Sequence, residues 1–144
     1  MQQELTEAVV NDFLTEWYDA YARQDIDYLV ENDYGFEDGF GFRTLLPRHP
    51  LPKEDCRAAL EAFFGEMESY EIGIEDIQIK IVGGVALAWG YQTESFRRKG
   101  SEPESYRVRS SFTLRMKNEG EIEILLAHRD IQVFEDAYYV PRYT

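Results

Sequence analysis

Apolar residues in the first half of the chain recur every three or four positions, which is the period of an α-helix. A first helix is predicted from Leu5 to Arg23, with Leu14 and Trp17 on its apolar stripe. Asp25 can cap the free backbone donors of a second, short helix that reaches Asn32. Pro52 suits the first turn of a third helix, whose stripe of Cys56, Ala59, Leu60, Phe63 and Met67 predicts an end near Ser69.

The remaining apolar pattern alternates with a period of two, which predicts β-strands. A short strand is predicted at 34–42, and four long strands at 72–81, 85–96, 106–116 and 121–134. A break in alternation between Ile74 and Ile77 indicates a bulge, and Gly83 with Gly84 indicates a turn. This order predicts an α+β fold, in which three N-terminal helices wrap a strongly curved, mostly antiparallel sheet around an apolar pocket.

Composition narrows the class of protein. The 144 residues are the size of one domain, so a single domain is expected over 1–144. The net charge of -13 disfavours nucleic acid and anionic membranes as partners, and no apolar run is long enough to span a bilayer. One cysteine and two histidines offer neither a disulfide nor a zinc site. We expect a cytoplasmic protein without a metal or cofactor.

The last predicted strand carries the most specific candidate chemistry. Regular alternation places Ile124, Leu126, His128 and Asp130 on one face, toward the core. An inward histidine can exchange protons near neutral pH, and Asp130 could orient its ring. The alternative is a packed histidine whose hydrogen bonds are met internally.

Other candidates are aromatic or cationic. Tyr18 could donate a hydrogen bond to developing negative charge, and four rings could stack on a flat ligand or simply fill the core: Trp17, Tyr21, Trp89 and Tyr91. Arg109 could bind a carboxylate or phenolate, although its phase also fits a solvent-facing or dimer-facing stripe. The strand at 85–91 has one bulky and one small face, which fits a homodimer.

Several strings resemble the NTF2-like superfamily, and in particular its SnoaL-like members. They are Trp17–Tyr21 followed by Gln24–Leu29, the third-helix string Arg57–Phe64, the strand Ala86–Tyr91 and the last strand Gly120–Asp130. The resemblance implies a cone-shaped α+β fold and a pocket histidine at the position of His128. The isomerase pattern of this superfamily also suggests Asp38 as a base. The same pattern is broken by Trp17, which stands where a tyrosine is expected, and by Ser110 or Ser111, which stand where an acid is expected.

The resemblance leaves the function open, because this fold carries many activities. One hypothesis is a cofactor-independent cyclase, isomerase or dehydratase that acts on a small apolar cyclic substrate by general acid or base catalysis. Another is a non-catalytic module that binds a small apolar or aromatic molecule or mediates dimerisation. A third is the small subunit of a larger oxygenase.

Overall fold

Three helices precede a four-stranded sheet in the computed structural model, which describes residues 4–32, 53–117 and 120–129. The helices are α1 (Glu7–Ala22), α2 (Ile26–Asn32) and α3 (Lys53–Gly65). The strands are β1 (Met67–Val82), β2 (Val85–Arg98), β3 (Pro103–Met116) and β4 (Ile122–Arg129). They form one antiparallel sheet in the order β1-β2-β3-β4. The predicted α+β class is confirmed, and the strand expected at 34–42 lies outside the described residues.

Side-chain caps begin the first two helices, and the sequence predicts the second of these caps, Asp25. The Thr6 hydroxyl accepts a hydrogen bond from the Val9 amide at 3.2 Å, which satisfies one of the free donors at the start of α1. The Asp25 carboxylate accepts from the Tyr28 amide at 3.1 Å and does the same for α2. No helix among the described residues is long and apolar enough to cross a membrane.

The sheet has an inner face that meets α1 and an outer face on its other side. Paired residues on neighbouring strands share a face, so the buried row Ala86, Ala88, Gly90 and Gln92 of β2 marks the inner face. On β3 the same face carries Ser110, Phe112 and Leu114. The core forms where these residues pack against the buried stripe of α1, which includes Val10, Leu14, Trp17 and Tyr18.

A bulge in β1 confirms the predicted break in alternation. The register between β1 and β2 shifts between Glu75 and Gln78, and Asp76 adopts a positive φ of 54°. Ile74 and Ile79 lie on the inner face on either side of the bulge, because they pair with Gln92 and Ala88. The one extra residue shifts the alternation of β1, so that both isoleucines face the core.

Two predicted boundaries are wrong. Helix α3 ends at Gly65 rather than near Ser69, and Met67 begins β1 instead of extending the helical stripe. Met67 is buried. An apolar residue at this position fits the last turn of a helix as well as the first residue of a strand, so its spacing does not distinguish the two. The polar connection expected at 97–105 is also shorter, because β2 continues to Arg98 and β3 begins at Pro103.

Candidate functional site

Hydrogen bonds join a series of polar side chains across the inner face of the sheet, beneath α1. We call this series the inner-face chain, and its members are Tyr18, Tyr70, Gln92, Glu94 and Ser110. Its centre is Gln92 of β2, which is only 2% exposed. The Gln92 amide oxygen accepts hydrogen bonds from the Tyr18 hydroxyl at 2.8 Å and from the Ser110 hydroxyl at 3.2 Å. Because both donors come to the oxygen, the amide nitrogen is oriented in the opposite direction, along β2.

The same network of hydrogen bonds includes the carboxylate of Glu94. The Gln92 amide nitrogen donates to Glu94 Oε1 at 3.2 Å, and the Tyr70 hydroxyl of β1 donates to the same oxygen at 2.9 Å. Glu94 is half-buried, whereas Tyr70 is buried. Two donors on one oxygen fix the position of this carboxylate on the strand.

Aromatic and apolar side chains surround Glu94 on the same face. Its pairing partners are Ile72 on β1 and Tyr106 on β3. The Tyr106 ring stacks on Phe96 with the centroids 5.7 Å apart, and its hydroxyl donates to Glu104 at 2.6 Å. That hydrogen bond raises the pKa of the Tyr106 hydroxyl. The carboxylate thus lies among rings and hydrocarbon, an arrangement that suits an organic ligand.

The predicted inward orientation of His128 is wrong. The register between β3 and β4 shifts between Thr113 and Leu114, so that Leu126 pairs with Thr113 but Ile124 pairs with Leu114. The intervening Leu125 forms a bulge, which inverts the phase of the strand beyond it. Ala127 consequently takes the inner position, and His128 is exposed on the outer face beside Ser111.

Of the other three catalytic candidates, Tyr18 alone lies among the described residues. Asp38 and Asp130 lie outside the described residues. Tyr18 is buried and faces the sheet, where it binds Gln92. The structure therefore brings Tyr18 to the inner-face chain but does not bring His128 there.

The aromatic candidates divide between the two faces of the sheet. Trp17 and Tyr21 are buried core residues, with their ring centroids 4.8 Å apart. Trp89 and Tyr91 are instead exposed on the outer face, because the small residues of β2 occupy the inner positions. Arg109 pairs with Tyr91 and is also exposed there. The outer positions of Trp89 and Tyr91 do not fit a pocket beneath the helices, and the exposed position of Arg109 fits the alternative of a solvent-facing or dimer-facing stripe.

Sequence reasoning missed Gln92, Glu94 and Ser110, although the signal for two of them was present. Gln92 and Glu94 continue the alternation of Ala86, Ala88 and Gly90, so polar side chains follow small ones on the buried face of β2. Ser110 is completely buried on the neighbouring strand. No three His, Cys, Asp or Glu side chains within the described ranges are grouped so that they could hold a metal ion.

Comparison with known proteins identifies the family. The chain matches the SnoaL-like domain over residues 10–129. A search of curated proteins finds no significant match. Among solved structures, similar chains include an NTF2-like superfamily protein from Salmonella enterica, with 14% identity, a TM-score of 0.69 and coverage of 90% of this chain and 95% of that one.

Two further structural relatives have more descriptive names. A ketosteroid isomerase-like protein from Erwinia carotovora atroseptica is 13% identical, with a TM-score of 0.65 and coverage of 85% of this chain and 94% of that one. ActVI-ORFA from Streptomyces coelicolor is 15% identical, with a TM-score of 0.68 and coverage of 87% and 96%. This chain therefore belongs to the SnoaL-like domain family, and its fold is similar to that of the NTF2-like structure from Salmonella enterica.

Proposed function

We propose that this protein binds a small, largely apolar cyclic molecule against the inner face of the sheet, and that Glu94 removes a proton from it. The observation that carries the proposal is the position of the Glu94 carboxylate, held by Tyr70 and Gln92 among aromatic and aliphatic side chains. The reaction class is an isomerisation, cyclisation or dehydration that begins with proton abstraction next to a carbonyl. It requires no cofactor.

The inner-face chain supports this role because it keeps the base in one orientation. Tyr18 and Ser110 both donate to the Gln92 oxygen, which leaves the Gln92 nitrogen to bind Glu94. Tyr18 thus acts as a positioning residue through Gln92. A base that is fixed before the ligand arrives does not need to reorganise during the reaction.

A simple ketone can test proton abstraction without knowledge of the natural substrate. 2-Tetralone has a ring next to an acidic C–H, and its exchange of hydrogen for deuterium in D₂O can be followed by NMR. We expect the protein to accelerate this exchange above the buffer rate. Glu94→Gln keeps the shape and the accepting oxygen but removes the base, so the acceleration should fall by about 100-fold or more.

Glu104→Gln is the matched control. Glu104 also lies on the inner face, where it pairs with Phe96, two residues beyond Glu94. Its carboxylate accepts a hydrogen bond from Tyr106, which is not a member of the inner-face chain. This variant should retain the acceleration. Equal exchange rates for the wild type and Glu94→Gln would show that Glu94 is not the base.

A second candidate is binding without turnover, which the same buried hydrogen-bond chain could support. 2-Naphthol carries a phenolic donor for Glu94, whereas 2-methoxynaphthalene has the same rings without the donor. If the protein prefers 2-naphthol by about tenfold or more, loses that preference in Glu94→Leu, which has no accepting oxygen, and does not accelerate tetralone exchange, the binding function is supported and the catalytic one is wrong.

A further inference from the structure

A cation lies on the inner face of the sheet at the last residue of β2. Arg98 shares this face with Glu94 and Phe96, because alternate residues of a strand point the same way. The Arg98 side chain is exposed, and its guanidinium carbon lies 5.5 Å from the centre of the Phe96 ring. A guanidinium that stacks on a ring keeps its N–H edges available for a further partner.

Aromatic rings lie between this cation and the Glu94 carboxylate. Phe96 is the residue between them on the inner face, and its ring stacks on Tyr106, which pairs with Glu94. The hydrogen bond to Glu104 is the largest of the influences that raise the pKa of the Tyr106 hydroxyl. The charge of Arg98 lowers that pKa and the charge of Glu94 raises it, so both charges act at the same hydroxyl. A carboxylate and a cation therefore flank one aromatic surface.

Arg98 also differs from nearby arginines in its ion pairs. The Nε of Arg97, on the outer face, lies 3.4 Å from a Glu68 oxygen, and the Nε of Arg107 lies 3.8 Å from a Glu75 oxygen. Within the described ranges, Arg98 forms no such salt bridge. Its positive charge is therefore available to an anion from outside the chain.

We propose that Arg98 binds a carboxylate on the cyclic molecule whose proton Glu94 removes, so that the ligand is a cyclic ketone with an anionic substituent. This inference rests on the function proposed above. The guanidinium offers a fixed fork of donors that fits both oxygens of a carboxylate. Four residues of strand separate the Cα atoms of Glu94 and Arg98 by about 13 Å. The acidic C–H of the ligand can thus lie beside Glu94 while its carboxylate lies beside Arg98.

The charge of the protein makes this cation necessary for an anionic ligand. A net charge of -13 repels an anion, and the Glu94 and Glu104 carboxylates lie on the same face as the proposed site. A carboxylate on the ligand therefore requires a local positive charge, whereas a neutral substituent does not. Arg98 should govern the affinity for the charged ligand alone.

Two naphthalenes of similar shape test this role. 6-Hydroxy-2-naphthoate and 6-hydroxy-2-naphthamide share the rings and the phenol, but only the naphthoate is anionic at neutral pH. Isothermal titration calorimetry should show that the wild type prefers the naphthoate by about tenfold or more. Arg98→Gln should lose that preference through weaker binding of the naphthoate, with the affinity for the naphthamide unchanged.

Arg97→Gln is the matched control. It removes the same charge from the adjacent position, but Arg97 lies on the outer face, where its Nε donates to the Ser101 carbonyl oxygen at 3.0 Å. This variant should keep the preference for the naphthoate. Equal losses in Arg97→Gln and Arg98→Gln would show that net charge, rather than contact with Arg98, sets the preference, and the inference would be wrong.

The exchange of 2-tetralone separates this inference from the function on which it rests. If the naphthamide binds and exchange is accelerated, but the naphthoate is not preferred, Arg98 is not an anion site and the role of Glu94 stands. A preference that only Arg98→Gln abolishes, without accelerated exchange, supports the anion site and contradicts the catalytic role of Glu94. If neither naphthalene binds, the anion site is wrong whatever the exchange rate.

Discussion

The orientation of a single side chain in this protein depends on neighbours that are distant in sequence and adjacent in the fold. Gln92 is informative because its amide has two chemically different ends. The hydroxyls of Tyr18 and Ser110 donate to the amide oxygen of Gln92. The amide nitrogen is therefore turned toward Glu94 and donates to its carboxylate. Neither the sequence spacing nor the residue type of Gln92 indicates this direction, because its partners come from a helix and from another strand.

Tyr28 offers a test at the residue scale through pH. Burial and the nearby Glu16 carboxylate raise the pKa of the Tyr28 hydroxyl above its usual value near 10. The folded state therefore holds this proton more tightly than the unfolded state does. The resulting stabilisation is complete below the unfolded pKa and is lost as the pH rises through the folded one.

Tyr28→Phe should remove this part of the alkaline loss of stability. Urea unfolding, followed by circular dichroism from about pH 8 to about pH 11, should show a free energy of unfolding that falls less steeply above pH 10 for the variant. The slope contributed by one tyrosine is at most about 1.4 kcal/mol per pH unit. Parallel curves for the two proteins across the whole range would contradict the assigned shift.

Secondary-structure elements were predictable wherever one periodicity persisted. The stripe of α1 and the alternation of β2 and β3 each bury one face, so their positions followed from the sequence. In β4 the sequence offers Ile122, Ile124 and Leu126 as an unbroken alternating row, and only pairing with β3 introduces the bulge at Leu125. One extra residue turned His128 outward, so the predicted proton carrier faces away from the helices.

The contact between β1 and β2 near the β1 bulge provides a test at this scale. A Cβ atom added to Gly90 would lie 2.8 Å from the Glu75 carbonyl oxygen and 3.2 Å from the Ile74 Cγ1 atom. Backbone cannot move aside as a flexible side chain does, so Gly90→Ala should lower the free energy of unfolding by about 1–3 kcal/mol. Denaturant unfolding measures this difference.

Gly73→Ala is the matched control on β1. Its added Cβ would meet only the Thr93 hydroxyl, at an ordinary 3.8 Å. Alanine also has a lower conformational entropy in the unfolded chain, so this variant should be as stable as the wild type or slightly more stable. If both alanine variants unfold at the same denaturant concentration, the close approach at Gly90 has no energetic consequence.

At the scale of the whole molecule, the two faces of the sheet carry different kinds of side chain. The inner face holds the Glu94 carboxylate, and the outer face presents the exposed side chains of Leu87, Trp89 and Tyr91. The sequence predicted the two-faced strand but could not decide which face was buried, because Trp89 and Tyr91 suit a core as well as an interface. Packing decides it, since only the small side chains of β2 leave room for α1 to approach.

The two tryptophans report separately on these faces. Trp17 is 4% exposed in the core and Trp89 is 41% exposed on the outer face. Iodide quenches only accessible rings, so it should quench the part of the wild-type fluorescence that comes from Trp89. In Trp89→Phe, where only Trp17 emits, quenching should stay low at every protein concentration. Equal quenching of the wild type and Trp89→Phe would contradict the exposure of Trp89 on the outer face.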